Sequence, residues 1–255
     1  MTSLAHLRQV ITPWTQALLD LLYPRTCRVC DVPLADRNWL CKPCEDALPT
    51  LDAPFCQVCG EPFAGMIDRE FRCENCADRK LHFDFAIAGY KAEGEVRELV
   101  HRFKYGRDVT LRAPLGHLLR RALADPRLQA EDLAQWILVP VPLHHARQRE
   151  RQFNQSLELC LHLARETGMP VQNAMKRVRA TDRQARLTRA QRLQNLRGSF
   201  TMQRGFSDKA SPLAGAKVLL VDDVFTTGAT TDECARILRR EAGVQKVVVI
   251  AVARG

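Results

Sequence analysis

Aromatic residues are scarce in this chain: Phe, Trp and Tyr make up 6% of its 255 residues. A stacking platform for single-stranded nucleic acid, which seats successive bases on aromatic rings, is therefore poorly supported. No apolar run reaches the roughly 18–20 residues that span a bilayer as a helix. No secretory leader is recognisable either, and the expected compartment is the cytoplasm. Residues 1–23 are rich in apolar side chains but carry Arg8 and Asp20. Their apolar positions, Leu4, Leu7, Val10, Ile11, Trp14, Leu18, Leu21 and Leu22, recur at helical spacing around Pro13, which predicts an amphipathic helix docked on its own protein. A membrane surface or a partner is the alternative for that face. The pattern GxxxxGK[ST] is missing, which excludes a Walker phosphate loop. No Ser-His-Asp or Cys-His grouping suggests a nucleophilic hydrolase.

Positive charge is in excess and unevenly placed. The formal net charge is +9. Between Pro142 and Gly205 thirteen Arg and Lys face four acids, so this stretch alone carries a net +9. Such a concentration suits phosphates, pyrophosphate or nucleic acid, or else a solvated basic surface.

Eight of the ten cysteines fall into CxxC pairs: Cys27/Cys30, Cys41/Cys44, Cys56/Cys59 and Cys73/Cys76, separated by ten, eleven and thirteen residues. Without an export signal this spacing reads as metal ligation rather than as a disulfide framework. Two CxxC turns supply the four thiolates of a structural zinc site, so two zinc ions are expected. Sequential pairing of the turns is favoured, because each gap is short enough for one hairpin and Gly60 suits a tight turn. The interleaved pairing of first with third is the other arrangement. Closed four-cysteine sites have no open position for catalysis and serve folding. Cys160 and Cys234 lie in helical patterns and read as core.

From Phe83 onward apolar strands alternate with helices, the pattern of a parallel sheet covered on both faces. Strands are expected at Phe85–Tyr90, Trp136–Val141, Lys217–Val221 and Lys246–Ala253. Helices are expected at Glu95–Tyr105, Leu111–Ala124, Asn154–Glu166 and Asp232–Glu241. The expected organisation is an amphipathic helix over 1–23, a double zinc ribbon over 24–80 and an α/β domain over 83–255.

Val218-Leu-Leu-Val-Asp-Asp-Val-Phe-Thr-Thr-Gly-Ala-Thr230 carries the functional signal. An apolar strand runs into Asp222 and Asp223, then into a Thr/Gly loop, then into a helix. Open α/β sheets bind ligands outside the carboxyl ends of their strands. Gly228 lets the backbone come close to a phosphate, and Thr226, Thr227 and Thr230 supply hydroxyls. Amides of this loop, Ala229 included, face a helix N-terminus that favours negative charge. The paired carboxylates suit sugar hydroxyls and a nearby Mg²⁺.

This segment resembles the phosphoribosyl pyrophosphate signature of type I phosphoribosyltransferases. The resemblance implies that Asp222 and Asp223 contact the ribose hydroxyls as the catalytic acid pair, and that Thr226 through Thr230 hold the 5′-phosphate. It also implies that the loop after the Trp136 strand binds pyrophosphate, with Arg147, Arg149 and above all Arg151 as candidates. Arg177–Arg197 corresponds to a hood over the reacting centre, or to a basic surface helix. Lys104 reads as a ligand group or, the favoured alternative, as the solvated end of its helix, and His144 and His145 read as exposed loop residues rather than acid–base catalysts.

Four CxxC pairs, then Phe103-Lys-Tyr-Gly106, Val139-Pro-Val-Pro142, Arg151-Gln-Phe-Asn-Gln155, Gln184 with Arg192 and Asn195, and the Val218–Thr230 segment, occur here in one order. In that order the chain resembles the ComF family of competence-associated proteins. Gln152 stands where the family pattern has glycine, which leaves open the conformation of that turn. The resemblance implies a glycosyltransferase-type protein of nucleoside metabolism that binds phosphoribosyl pyrophosphate with Mg²⁺, in the context of DNA uptake and transformation. Its acceptor and oligomeric state are not legible. The other class of function is a non-catalytic protein that holds single-stranded DNA with its ribbons and basic stretch, using the fold as scaffold or ligand sensor.

Overall fold

A computed structural model describes residues 25–36, 38–63, 65, 67, 70–179, 196–207 and 211–255. The helix expected over 1–23 lies outside the described residues, as do Gln184, Arg192, Asn195 and most of the hood segment. The chain divides into two compact units, Met1–Ala47 and Leu48–Gly255. The first two CxxC pairs belong to one unit and the last two to the other.

The same cysteine knuckle is built in each unit. In the first, Cys27 N donates to Val32 O at 2.8 Å and Asp31 N donates to Cys27 O at 2.9 Å. In the second, Cys56 N donates to Glu61 O at 2.8 Å and Gly60 N donates to Cys56 O at 2.9 Å. Both turns need a left-handed residue after the CxxC, Asp31 at φ 59° and Gly60 at φ 65°. Glycine takes that conformation freely, and aspartate tolerates it better than most side chains do. The other CxxC pair of each knuckle opens a short helix, α1 (Lys42–Asp46) after Cys41 and α2 (Glu74–Ala77) after Cys73.

The second unit continues as β1 (Phe85–Lys91), α3 (Gly94–Tyr105), α4 (Arg112–Leu123), α5 (Pro126–Gln129), β2 (Trp136–Pro140) and α6 (His145–Arg151). Then come α7 (Gln155–Thr167), β3 (Met175–Arg177), β4 (Phe200–Met202), β5 (Lys217–Phe225), α8 (Ala229–Ala242) and β6 (Lys246–Arg254). Strands β1, β6, β5 and β2 lie in that order in one parallel sheet, while β3 and β4 form a separate antiparallel pair. Helices α4 and α7 pack on one face of the sheet, and α8 with the β3–β4 ribbon on the other. This is the expected fold class of parallel strands covered on both sides.

Alternate residues of β5 and β6 feed the two layers. Val218, Leu220, Val247 and Val249 join a core with Ala235 and Leu238 of α8. Leu219, Val221, Val248 and Ile250 are equally buried, and by strand alternation they face α4 and α7. Each such side chain contributes roughly 1.5–3 kcal/mol on burial. Close approach of α4 and α7 depends on Gly116, where a Cβ would stand 2.2 Å from the His162 ring.

Both outer strands are bonded to their own chain. Along β1, Leu51 N donates to Gly89 O, Lys91 N to Pro49 O and Ala86 N to Val58 O. Along β2, Leu138 N donates to Pro170 O and Gln172 N to Leu138 O.

Three expectations need correction. Strand β5 does not stop at Val221 but runs to Phe225, because its ladder with β6 continues through Asp222↔Ala251 and Val224↔Ala253. The segment expected as an arginine loop is the two-turn helix α6, opened by His144, whose Nδ1 accepts from Ala146 N. Helix α8 begins at Ala229, three residues before the expected Asp232.

Candidate functional site

The acid pair closes β5 at the carboxyl end of the sheet. Asp223 is buried, and its Oδ1 lies 2.8 Å from Lys104 Nζ, whose side chain is 21% exposed. Lys104 is therefore a buttress of the acid pair and not a solvated helix end. Asp222 Oδ1 accepts from Ser156 Oγ at 3.2 Å and from Asp223 N at 2.9 Å. Loss of water contact, then the neighbouring Asp223 charge, push the Asp222 carboxyl up to about 7, against the pull of Lys104 and Ser156. Two carboxylates side by side make a place where an added cation or hydroxyl donors relieve repulsion.

Directly after the pair, the backbone turns through Thr226-Thr-Gly-Ala-Thr230 into α8. Gly228 is the N-cap at φ 72° and, lacking a side chain, makes no side-chain cap of its own. A Cβ at this position would stand 2.8 Å from Phe225 Cζ, so both space and backbone conformation demand glycine. Thr227 Oγ1 accepts from Ala229 N at 3.5 Å, and Thr231 Oγ1 donates to Gly228 O at 3.0 Å. The loop encloses a hollow of about 80 Å³ lined by Asp222 and residues 224–231. A hollow at the start of a fourteen-residue helix, where the helix dipole is positive, suits an anion.

That hollow adjoins a cleft of about 230 Å³ which shares Asp222, Val224, Thr226 and Thr230 with it. Arg147, Arg151 and Arg177 also line this cleft. Arg147 and Arg151 are one helical turn apart on α6 and share its inner face, whereas Arg149 is exposed and does not line the cleft. Arg151 donates to Gln155 Oε1 at 3.1 Å and its guanidinium lies 5.0 Å from the Tyr105 ring centroid. Arg177 lies over the Phe200 ring at 5.2 Å. Burial, then the Arg147 charge, favour loss of its proton relative to an ordinary guanidinium. Gln152 is left-handed, φ 72° and ψ −16°, and ends α6. The turn thus keeps a glycine-like conformation with a glutamine in it. Asn154 then starts α7: its side chain accepts from Ser156 N and donates to Val141 O, which aims Ser156 at Asp222. His144 is buried rather than exposed, with its protonation disfavoured by burial and by the His145, Arg177 and Arg147 charges. His145 is exposed as expected.

The eight paired cysteines gather into two groups, Cys27/Cys30/Cys41/Cys44 and Cys56/Cys59/Cys73/Cys76, with all sulfurs of a group within 4.8 Å of one another. The chain pairs its CxxC turns sequentially. Cys30 and Cys41 sulfurs are 3.6 Å apart, as are those of Cys59 and Cys73. Four thiolates at about 2.3 Å from a tetrahedral zinc would be about 3.8 Å apart, so both groups fit the ion.

The model of the double zinc ribbon domain matches residues 18–77. Competence protein F of Haemophilus influenzae is 32% identical over 220 residues, covering 86% of this chain and 91% of its own length. The chain belongs to the competence protein F (ComF) family. DNA utilization protein YhgH of Salmonella typhimurium is 31% identical over 226 residues, 86% of this ComF chain and 93% of that relative. Competence protein ComFC of Bacillus subtilis is 23% identical over 205 residues, 78% and 77% of the two chains. Among solved structures, the glutamine phosphoribosylpyrophosphate amidotransferase of B. subtilis aligns over 58% of this chain at 21% identity with a TM-score of 0.35. This ComF chain spans 30% of that enzyme's length.

Of the residues at this ComF site, sequence reasoning passed over Ser156, leaned away from Lys104 as a ligand group, and had Asn154 only as a helix start and Arg177 only as the edge of the hood segment. Only Asn154 left a usable trace, since an Asn before a helical pattern is an N-cap signal.

Proposed function

We propose that this ComF protein binds phosphoribosyl pyrophosphate in the cleft at the carboxyl ends of β2 and β5. The observation that carries the reading is the meeting, around one cleft, of an acid pair, a Thr/Gly hollow and the arginines of α6 and β3. The 5′-phosphate takes the amides and hydroxyls of Thr226–Thr230. Asp222 and Asp223 accept from the ribose hydroxyls. Arg147, Arg151 and Arg177 face the pyrophosphate, while Arg149 has no part in the cleft. A Mg²⁺ ion carried with the pyrophosphate would sit near Asp222, where it supplies charge neutralisation for the departing group.

In a transfer step the acceptor's nucleophile forms a bond to the anomeric carbon as the carbon–oxygen bond to pyrophosphate breaks, and the acceptor proton leaves to solvent. The protein's share is positioning and stabilisation of departing negative charge. Calorimetric titration of phosphoribosyl pyrophosphate with Mg²⁺ into wild type and the Asp222→Ala/Asp223→Ala variant tests the reading. Equal affinity of the two proteins would sink it.

The relatives named for competence and DNA utilization suggest a role beside DNA, and single-stranded DNA is the second candidate partner. The direction of Arg147, Arg151 and Arg177 into a cleft with acids favours a small phosphorylated ligand over a long strand. DNA held through phosphates would lose affinity steeply with salt, and a salt series on filter binding separates the two readings.

A further inference from the structure

We propose that the second four-cysteine knuckle, Cys56/Cys59/Cys73/Cys76, positions the phosphate loop through Arg254, so that zinc at this site sets the geometry of Thr226–Thr230. The inference rests on the function proposed above only where ligand affinity is concerned.

The link is continuous. Arg254 pairs with Phe225 across the β5–β6 ladder, at the last rung before the loop. Its side chain is 10% exposed. Nε donates to Cys59 O at 3.1 Å, Nη1 donates to Phe225 O at 3.4 Å, and Nη2 pairs with Glu61. One guanidinium thus ties the carbonyl of a metal-ligating cysteine, a carboxylate of the same hairpin and the carbonyl of the residue that opens the loop. Five donors in a fixed plane suit a three-way tie of this kind, which a lysine cannot match.

Beneath the loop a second contact runs in parallel. The Phe225 ring lies 5.3 Å from the Arg254 guanidinium and 5.9 Å, edge to face, from Phe83. That ring fills the space where a side chain at position 228 would go. Cys56, Cys59, Cys76, Phe83, Phe225 and Ala229 share one buried core. Arg79, three residues past Cys76, donates to Thr227 O at 3.4 Å. His82 N donates to Asp232 Oδ1 in the first turn of α8 at 2.6 Å. Metal ligation fixes the hairpin that carries Cys59 and Glu61. The hairpin holds Arg254 and the Phe83–Phe225 pair, and these hold the loop in its left-handed turn.

The test is hydrogen exchange of residues 226–232 in full-length, zinc-loaded, ligand-free protein, with zinc content measured in parallel. Arg254→Met is expected to keep both zinc ions and exchange these amides roughly tenfold faster than wild type. Arg254→Lys should restore part of the protection. Stripping zinc from wild type with a chelator should speed the same amides. Should Arg254→Met not fold, Glu61→Gln cuts the outer arm of the link and is expected to speed exchange about threefold. Wild-type exchange at 226–232 in the folded member of this pair overturns the proposal. Titration with phosphoribosyl pyrophosphate and Mg²⁺ is the second readout, with affinity expected to fall about tenfold in Arg254→Met. Fast exchange together with no ligand binding in wild type would leave the positioning role standing and overturn the ligand assignment instead.

Discussion

Lys104 Nζ stands 2.8 Å from Asp223 Oδ1, joining the last turn of α3 to the acid pair at the end of β5. The pair adjoins the Thr226–Thr230 hollow, and the Lys104 charge pulls the Asp222 carboxyl down against the push of burial and of Asp223.

Replacing that cation has a definite direction. In Lys104→Met the pH at which Asp222 ionises should move above about 7, since Lys104 is a lowering influence on that carboxyl. Binding of phosphoribosyl pyrophosphate with Mg²⁺ at neutral pH should weaken roughly tenfold. Carboxyl carbon chemical shifts followed through a pH titration report the midpoint, and an unmoved midpoint contradicts the assignment.

Asp222 also sets a pH dependence. Its carboxyl ionises near 7 in the folded chain and near 3.8 when unexposed to these neighbours. Between those values the folded state holds a proton that the unfolded state has lost, so stability from this group falls as pH rises from about 4 to about 7. Asp222→Asn should therefore stabilise the ligand-free protein above pH 7, on the order of 1 kcal/mol, while abolishing ligand binding. Denaturant midpoints at pH 5 and pH 8 check this; a variant less stable at pH 8 than wild type would count against it.

Gly228→Ala places a methyl group against Phe225 in a left-handed turn. The expected cost is about 1–3 kcal/mol, with loss of phosphate-loop binding even where the fold survives. Thermal unfolding and ligand titration of the same preparation separate the two effects.

Gln152→Gly should act in the opposite sense. A glutamine at φ 72° bears a strain that glycine relieves. Net of the extra freedom glycine gives the unfolded chain, a gain of about 0.5–1 kcal/mol is expected in urea unfolding. Ligand affinity should be unchanged, because the turn already has the conformation glycine would take.

Chelation should expose a fixed subset of thiols. Cys160 and Cys234 are buried, and burial pushes their thiols well above the usual range. A thiol-reactive dye added with a chelator should therefore label the eight ribbon cysteines rapidly and these two only on global unfolding. Prompt labelling of all ten would refute the division.

The Val218–Thr230 segment and the CxxC pairs were readable because each writes its physics locally: an apolar run that ends in acids and a Thr/Gly turn, or two thiols on one turn. Lys104, Ser156 and Arg177 were not, because their partners lie far along the chain and only folding brings them to the cleft. Helix α6 was hidden by its composition, since an arginine-rich stretch without an apolar stripe carries no helical period. Strands β3 and β4 are three residues each, too short for alternation to register. Arg149 stood as a candidate beside Arg147 and the favoured Arg151 because a segment read as a loop has no inner and outer side to separate them.

The bonds along the outer sides of β1 and β2 have a consequence for assembly. The backbone groups that would recruit a strand from another molecule are already engaged, at β1 by residues 49–58 and at β2 by residues 170–172. Lateral growth of this sheet into ribbons or fibres is closed off while those segments stay in place. Among the described residues, strand addition at either edge of this four-stranded sheet is therefore disfavoured as a mode of docking.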